Sequence, residues 1–564
     1  MGPFKRSFIA FSLISSAYFH SLAPGEEPKN DVRCVYFLKA HDVAAAMDIY
    51  LDKRHETGIH DFARLEEMAL FLLNEGAHSE NPQEQLASIY GIHLAGIAPP
   101  FEVLAQGIAS KAGDAQQASL QLAALFQDDL FDELLLRAMS SSFLPIRLEA
   151  GFYLSQKKHP AAAGHLEALF ARIPPFFRFV FPEFFAIIGT KEAVSILRTL
   201  MDDEEMSCKT EAILSAGRYQ RDDLLSVIRK KITHPSHALQ EAASNSLMML
   251  RDLSSVPRLK ELLKSPSSFV QLSAARALLS LGLEEAQAPI TSLLTEGNVY
   301  AMHVAGEMRV ELDHLAELVK HKELQIRINA GIALLQARDP RGVPAILEIL
   351  LSDMRDLGIF MISSPGRSLH AWKIVPSLSQ HAEFKFADPK TITLSVREHL
   401  LKSSLELGEK AFLDIAKMLV AKKEHALIPL LSSLLENLRT EESLKLLREM
   451  AGTAGSPLMR SYAALSLFRL KDKGPYEGML RNWLDLHATE DILKFRPTLP
   501  FHARAESSSY ELTPEEVSRL LFGIYQAFAD EHSVRGMDLL VNALRNETSL
   551  NRYALAGLLL RTLQ

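Results

Sequence analysis

The chain has 564 residues, 48% of them apolar and 23% charged, which is ordinary for a soluble folded protein and excludes general disorder. Lys and Arg number 61 against 69 Asp and Glu, a formal net charge of −8, so a nucleic-acid binder working through bulk positive charge is not expected. At about 150 residues per unit the length would make three or four globular domains, unless the chain is a repeat array, which can be of any length.

At the N-terminus, Lys5 and Arg6 precede an apolar run from Phe8 to Phe19, then the small residues of Ser21-Leu22-Ala23 and the polar segment from Pro24 to Asn30. Basic, apolar, small is the order of a secretory signal peptide. Residues 1–23 are therefore read as signal-like, and the protein as exported to a periplasm or secreted. The alternative is a cytoplasmic protein with a hydrophobic first helix. The run is too short to cross a bilayer, and no later segment has about 18 uninterrupted apolar residues, so no integral membrane segment is expected in the mature chain. With two cysteines, Cys34 and Cys208, a disulfide framework or Cys-rich zinc site is excluded.

Further along, one pattern recurs: an apolar residue, a long polar one, and a small residue four positions after the first. Clear copies are Ile146-Arg147…Ala150, Leu239-Gln240…Ala243, Val270-Gln271…Ala274, Ile326-Arg327…Ala330 and Met459-Arg460…Ala463. Weaker copies included, the starts fall at 84, 115, 146, 177, 208, 239, 270, 299 and 326, six steps of 31 followed by 29 and 27. A fixed step of this size is the mark of a repeat architecture.

Each period holds two helical stretches. The first is small and apolar, as in Val270–Gly282, where Val270, Ala274, Ala277, Leu278 and Leu281 form one stripe and Gly282 supplies the stop. Its alanines allow a neighbouring helix to approach closely. The second follows a short loop, as in Ser254–Pro266: Ser255 is read as the cap, Pro257 falls in the first turn, and Val256, Leu259, Leu262 and Leu263 form the stripe. The stretch from Asp339 to Asp353 repeats this order.

Two segments, Arg251–Gly282 and Glu323–Asp353, carry the order Asp, Val-Pro, Leu-rich helix, turn, long polar residue, Ala-rich helix. In this the chain resembles the short HEAT-like repeats also seen in phycobilin lyases, over about two thirds of its length. The resemblance implies an all-α, right-handed α-solenoid, a superhelix of stacked antiparallel helix pairs with an armadillo-like fold. It also implies that Asp252, Asp339, Arg147, Arg327 and Arg460 bridge neighbouring units. Gln240 and Gln271 depart from the Arg of the pattern, which argues against a continuous Arg ladder.

The organisation read from the sequence is an N-terminal helical cap over 42–83, repeats over 84–353, an insertion over 354–393, repeats over 394–485, a second insertion over 486–512, and C-terminal repeats with a cap over 513–564. Both insertions lack a helical stripe but keep large apolar groups: Phe360, Trp372, Phe384 and Phe386 in the first, Phe495, Phe501 and Tyr510 in the second. These are the candidate partner contacts, because loops carried on a rigid scaffold are where binding residues concentrate. Folding back onto the helices is the alternative.

Motifs of chemistry are sparse. The pair His234 and His237 is interrupted by Pro235 in a turn, and His55-Glu56 is a lone His-Glu pair. No phosphate loop, dinucleotide-binding turn, HExxH helix or nucleophile elbow occurs. The aromatic run Phe176–Phe185 is read as core. No catalytic residue, metal ligand or cofactor is assigned. The function expected is a non-enzymatic scaffold or adaptor that binds an unidentified protein partner along an extended surface. An enzyme or accessory lyase with a pocket in the groove is the alternative, with nucleic-acid binding behind both.

Overall fold

The computed structural model describes residues 30–40, 42–96, 99–351, 358–361, 371–374, 397–452, 456–493, 514–545 and 549–564. The signal-like segment 1–23 lies outside them, as do Phe384, Phe386, Phe495, Phe501 and Tyr510. The described chain is a succession of short antiparallel helix pairs. Among the described residues the one departure from helix and turn is a two-stranded hairpin in the first insertion, β1 (Gly358–Met361) with β2 (Ala371–Ile374).

Two compact units divide the chain. One takes in the described residues of Gly151–Met479. The other joins Met1–Ala150 to Leu480–Thr498 and Thr513–Gln564, and so draws on both ends of the sequence.

In the continuous unit the first helices of successive pairs stack on one another: Met206–Arg218, His237–Met249 and Ser268–Ser280, and further on Val299–Met308 and Leu324–Ala337. Small residues permit this. In Ser268–Ser280 everything from Leu272 to Leu278 is buried, with Ala274, Ala275 and Ala277 giving the close approach. The stops recur at the same step. Lys158, Gly189, Gln220, Arg251 and Gly282 all take positive φ, between 51° and 83°. Glycine does this at no steric cost, whereas each longer side chain costs about 1–2 kcal/mol. At Lys158 and Arg251 the cation partly offsets that cost by facing the negative end of the helix dipole.

The second helices begin as their prolines dictate, with Pro257 and Pro344 in the first turn. Ser255 does not cap its helix. Asp252 caps the preceding 3-10 turn by accepting from Ser254 N–H at 3.3 Å, and Ser255 Oγ donates to the same carboxylate. A carboxylate is the stronger acceptor and takes the capping role.

The discontinuous unit puts together what the sequence suggested were two separate caps. The last helix, Asn551–Leu563, packs on Pro82–Ala95 and Phe62–Ala77. It is buried on nearly all sides, from Asn551 through Leu560. The approach is backbone to backbone: a Cβ on Gly91 would lie 2.3 Å from Tyr553 O, and one on Gly557 would lie 2.1 Å from Gly91 O. Only glycine fits at either position. Gln564 Nε2 donates to Ala95 O at 2.7 Å, and Asn551 Oδ1 accepts from Ile492 N–H at 2.7 Å. Charges tie the same ends, with Arg545 Nε 2.5 Å from Asp48 and Asp538 held by Arg54 at 3.3 Å.

Candidate interaction surface

The turns between pairs explain the long polar residue of the repeat. In the unit built from both chain ends, Gln85 Nε2 donates to Ser79 O at 2.7 Å and Gln116 Nε2 to Ser110 O at 2.6 Å. In the continuous unit, Gln271 Nε2 donates to Ser265 O at 2.6 Å and Arg327 Nη1 to His321 O at 2.9 Å. Each donor reaches back to the carbonyl six residues earlier, so the turn has no orphan acceptor. The residue at that carbonyl also caps its own turn. Ser79, Ser110, Ser141, Asp203, His234 and Ser265 each accept the backbone N–H two residues on, at 2.9–3.2 Å.

The glutamines also relay to the next pair: Ser110 Oγ donates to Gln85 Oε1 at 3.0 Å and Ser141 Oγ to Gln116 Oε1 at 2.6 Å. Gln can donate and accept at once, whereas Arg only donates. The relay therefore stops at Arg147, which is half-buried and makes no ion pair among the described residues. Arg460 is exposed and likewise makes none among them.

The other repeat positions carry charge across. Asp252 receives Arg229 of the preceding pair through two bonds, 2.9 and 2.6 Å, and that guanidinium holds its carboxyl below the usual range. Asp339 holds Arg341 at 2.6–3.0 Å, and Arg341 reaches Asp313 of the preceding pair at 2.7 Å. Arg327 instead grips Glu348 of its own pair at 2.8 and 2.6 Å. Arg448 and Asp472 repeat the Arg229–Asp252 geometry at 3.1 and 2.7 Å.

A polar cluster that the sequence did not point to lies among the stacked first helices. Arg276 is 1% exposed, donates to Asn245 Oδ1 at 2.8 Å, and pairs with Glu307. Asn245, Arg276 and Glu307 stand one step of 31 apart on three adjacent helices. That step, carrying polar residues through Ala-rich helices, was the available signal. His303 lies 3.9 Å from Glu307, and burial pushes its pKa down to about 4. In the other unit Tyr50 and His60 meet at 2.8 Å, with His60 Nε2 3.0 Å from Asp538 Oδ1. Burial lifts Tyr50 to about 12, so it is a structural hydroxyl at neutral pH.

Apart from Arg147 and Arg460 these groups are occupied in holding helices and turns together, and much of the accessible surface falls to the second helices. Val256–Leu262 buries only Leu259 and exposes Pro257, Arg258, Lys260 and Glu261. A groove of about 680 Å³ opens where Ile428–Leu438, Glu441–Ala451 and Pro457–Arg469 meet, lined by Arg439, Leu444, Arg448, Arg469, Leu470, Lys471, Asp472 and Lys473. The aromatic run is divided: Phe181, Phe184 and Phe185 are buried, while Phe177 and Phe179 are about 40% exposed. Of the candidate contacts, Phe360 and Trp372 are direct cross-strand partners in the hairpin. Strand β1 runs beside Val299–Met308 and Leu324–Ala337.

His234 Nδ1 caps its own turn, and His237 is exposed beyond it. Among the described residues no group of three or more His, Cys, Asp or Glu could hold a metal, and no helix is long and apolar enough to cross a membrane. Cys34 and Cys208 are both buried, and burial lifts the Cys208 thiol to about 12.

No protein-family model matches the chain, and no curated protein does. Solved structures of helical-repeat proteins resemble it. The complex of CpcE and CpcF of phycocyanin lyase from Nostoc sp. PCC7120 matches at 19% identity over 38% of this chain and 92% of that one, with a TM-score of 0.28. The karyopherin Kap121p, bound to the extreme C-terminus of the protein phosphatase Cdc14p, matches at 13% identity over 93% of this chain and 63% of that one, TM-score 0.38. Kap95p with RanGDP matches at 13% identity over 94% and 76%, TM-score 0.34. The helical-repeat architecture rests on the helix pairs themselves.

Proposed function

We propose that this HEAT-like repeat protein is a non-enzymatic scaffold that binds a protein partner along the exposed faces of its second helices. One observation carries the reading. The first helices are spent on stacking, and most of the repeat's polar positions are spent on tying turns together, whereas most second helices keep exposed polar and charged side chains, as at Arg198, Arg258, Lys260 and Glu261, with Val343–Leu350 the exception. The insertions are the proposed anchors, since Phe360, Trp372, Phe384, Phe386, Phe495, Phe501 and Tyr510 offer the large apolar groups that dominate binding energy. Export fits the basic-apolar-small order of residues 1–23.

Crosslinking in native extract, followed by mass spectrometry, tests the scaffold. A stoichiometric protein partner with crosslinks at Lys260 and Lys264 is expected; recovery of none would sink the reading. Deleting 358–386 should leave helical circular dichroism nearly unchanged and abolish capture. Bound chromophore or metal in the purified protein would favour an accessory lyase instead.

A further inference from the structure

The groove between Ile428–Leu438, Glu441–Ala451 and Pro457–Arg469 has an electrostatic character unlike that of the whole chain. Five cations line it, Arg439, Arg448, Arg469, Lys471 and Lys473, against a single lining acid, Asp472. Two more acids reach in from the rim: Glu441 takes Arg448 at 2.9 Å, and Glu436 takes Arg469 at 3.8 Å. Arg448 is thus doubly engaged, with Asp472 on its other side. Arg439, Lys471 and Lys473 are exposed and make no ion pair among the described residues.

Part of this charge has a local use. Arg439 ends Ile428–Leu438 and Lys471 follows the end of Pro457–Arg469, so each faces a helix C-terminus worth about half a negative charge. Lys473 stands two residues beyond and has no such role. Leu444 and Leu470 are half-buried in the lining and supply apolar contact.

We infer that this groove binds an acidic, extended segment of a protein partner, its carboxylates pairing with Arg439, Lys471 and Lys473 and its aliphatic stems lying on Leu444 and Leu470. This deepens the scaffold reading and rests on it. A peptide fits better than a nucleic acid. A long polyanion would run beyond the groove onto a chain of net charge −8, whereas a short acidic segment meets only the local excess.

The test is fluorescence anisotropy of fluorescein-labelled octaglutamate titrated with the full-length protein at low salt and at roughly physiological salt. Binding that weakens with salt is expected, with a further loss of about tenfold in Lys471→Glu/Lys473→Glu. Arg439→Ala should lose less, and circular dichroism of both variants should match the parent. Absence of binding at low salt overturns the proposal. So does equal affinity in the double variant, or tighter binding by single-stranded DNA of matched charge. Because the probe is synthetic, its failure removes the groove alone, while a crosslinking experiment that recovers no partner removes the scaffold reading on which the groove's role depends.

Discussion

In the unit built from both chain ends, the carbonyl of Gly91 lies against Gly557 and the turns are joined by neutral Gln–Ser bonds. In the continuous unit the turns leading into the second helices are held by charge, Arg229 to Asp252, Arg341 to Asp313 and Arg448 to Asp472, and an ion pair sits inside the helix stack at Arg276 and Glu307. The same helix pair is therefore fastened in two ways. Backbone proximity and amide hydrogen bonds are insensitive to pH and nearly insensitive to salt, but they demand that both chain ends be present, and here they are joined by the pairs of Arg545 with Asp48 and Arg54 with Asp538. Ion pairs work within a continuous chain, at the cost of sensitivity to protonation and, at the surface, to screening.

Truncation should break this contrast most sharply. Removing Asn551–Leu563 uncovers the faces of Pro82–Ala95 and Phe62–Ala77 that it buries. Hydrogen exchange should show protection lost across 43–150 and retained across 206–350. Equal loss in both stretches would mean that the two units fold as one. A point version is Gly557→Val, whose side chain collides with a backbone carbonyl that cannot turn away. A loss of about 3 kcal/mol in denaturant unfolding is expected.

The continuous unit has its own weak point in the buried pair. Arg276→Met leaves Glu307 without its cation and should cost about 3–5 kcal/mol, whereas Arg276→Met with Glu307→Leu should recover most of that loss. If the double variant is no more stable than the single one, the pair is fixing helix register as well as neutralising charge.

Protonation is the next lever on the continuous unit. His303 is almost wholly buried and has its pKa pushed down to about 4, while its unfolded value is near 6.5. Between those values the unfolded chain binds a proton that the folded chain refuses. The stability is therefore complete above about pH 6.5 and drains away as pH falls toward 4, by about 3 kcal/mol in total. His303→Gln should flatten the fall in unfolding midpoint across that window by this amount. An unchanged slope would place the acid sensitivity elsewhere.

Much of the fold was legible because a step of 31 is a geometric constraint, and it recurs in places the sequence reading did not use. The left-handed stops at 158, 189, 220, 251 and 282 obey it. So do the turn caps from Ser79 to Ser265 and the buried Asn245, Arg276 and Glu307. What was not legible was contact between distant segments. Gly91 and Gly557 look like ordinary helix-weakening glycines until the two backbones are seen together. Asp252 and Arg147 look alike as repeat positions, but only Asp252 has a partner at the right distance. The groove was hidden for a related reason: Arg439 and Lys471 belong to different pairs, and their convergence depends on how the helices meet.

The smallest expected effect bears on why Gln and Arg share one repeat position. Gln116 donates to Ser110 O and accepts from Ser141 Oγ, so Gln116→Ala leaves both without that partner and should cost about 1–2 kcal/mol. Gln116→Arg keeps the donor and loses the acceptor, since a guanidinium has no lone pair to offer. It should recover the bond to Ser110 O but not the one from Ser141. About half the loss would then be restored, read as the shift in unfolding midpoint. Full restoration would mean that carbonyl capping alone sets the choice at this position. No restoration would mean that the relay between pairs sets it.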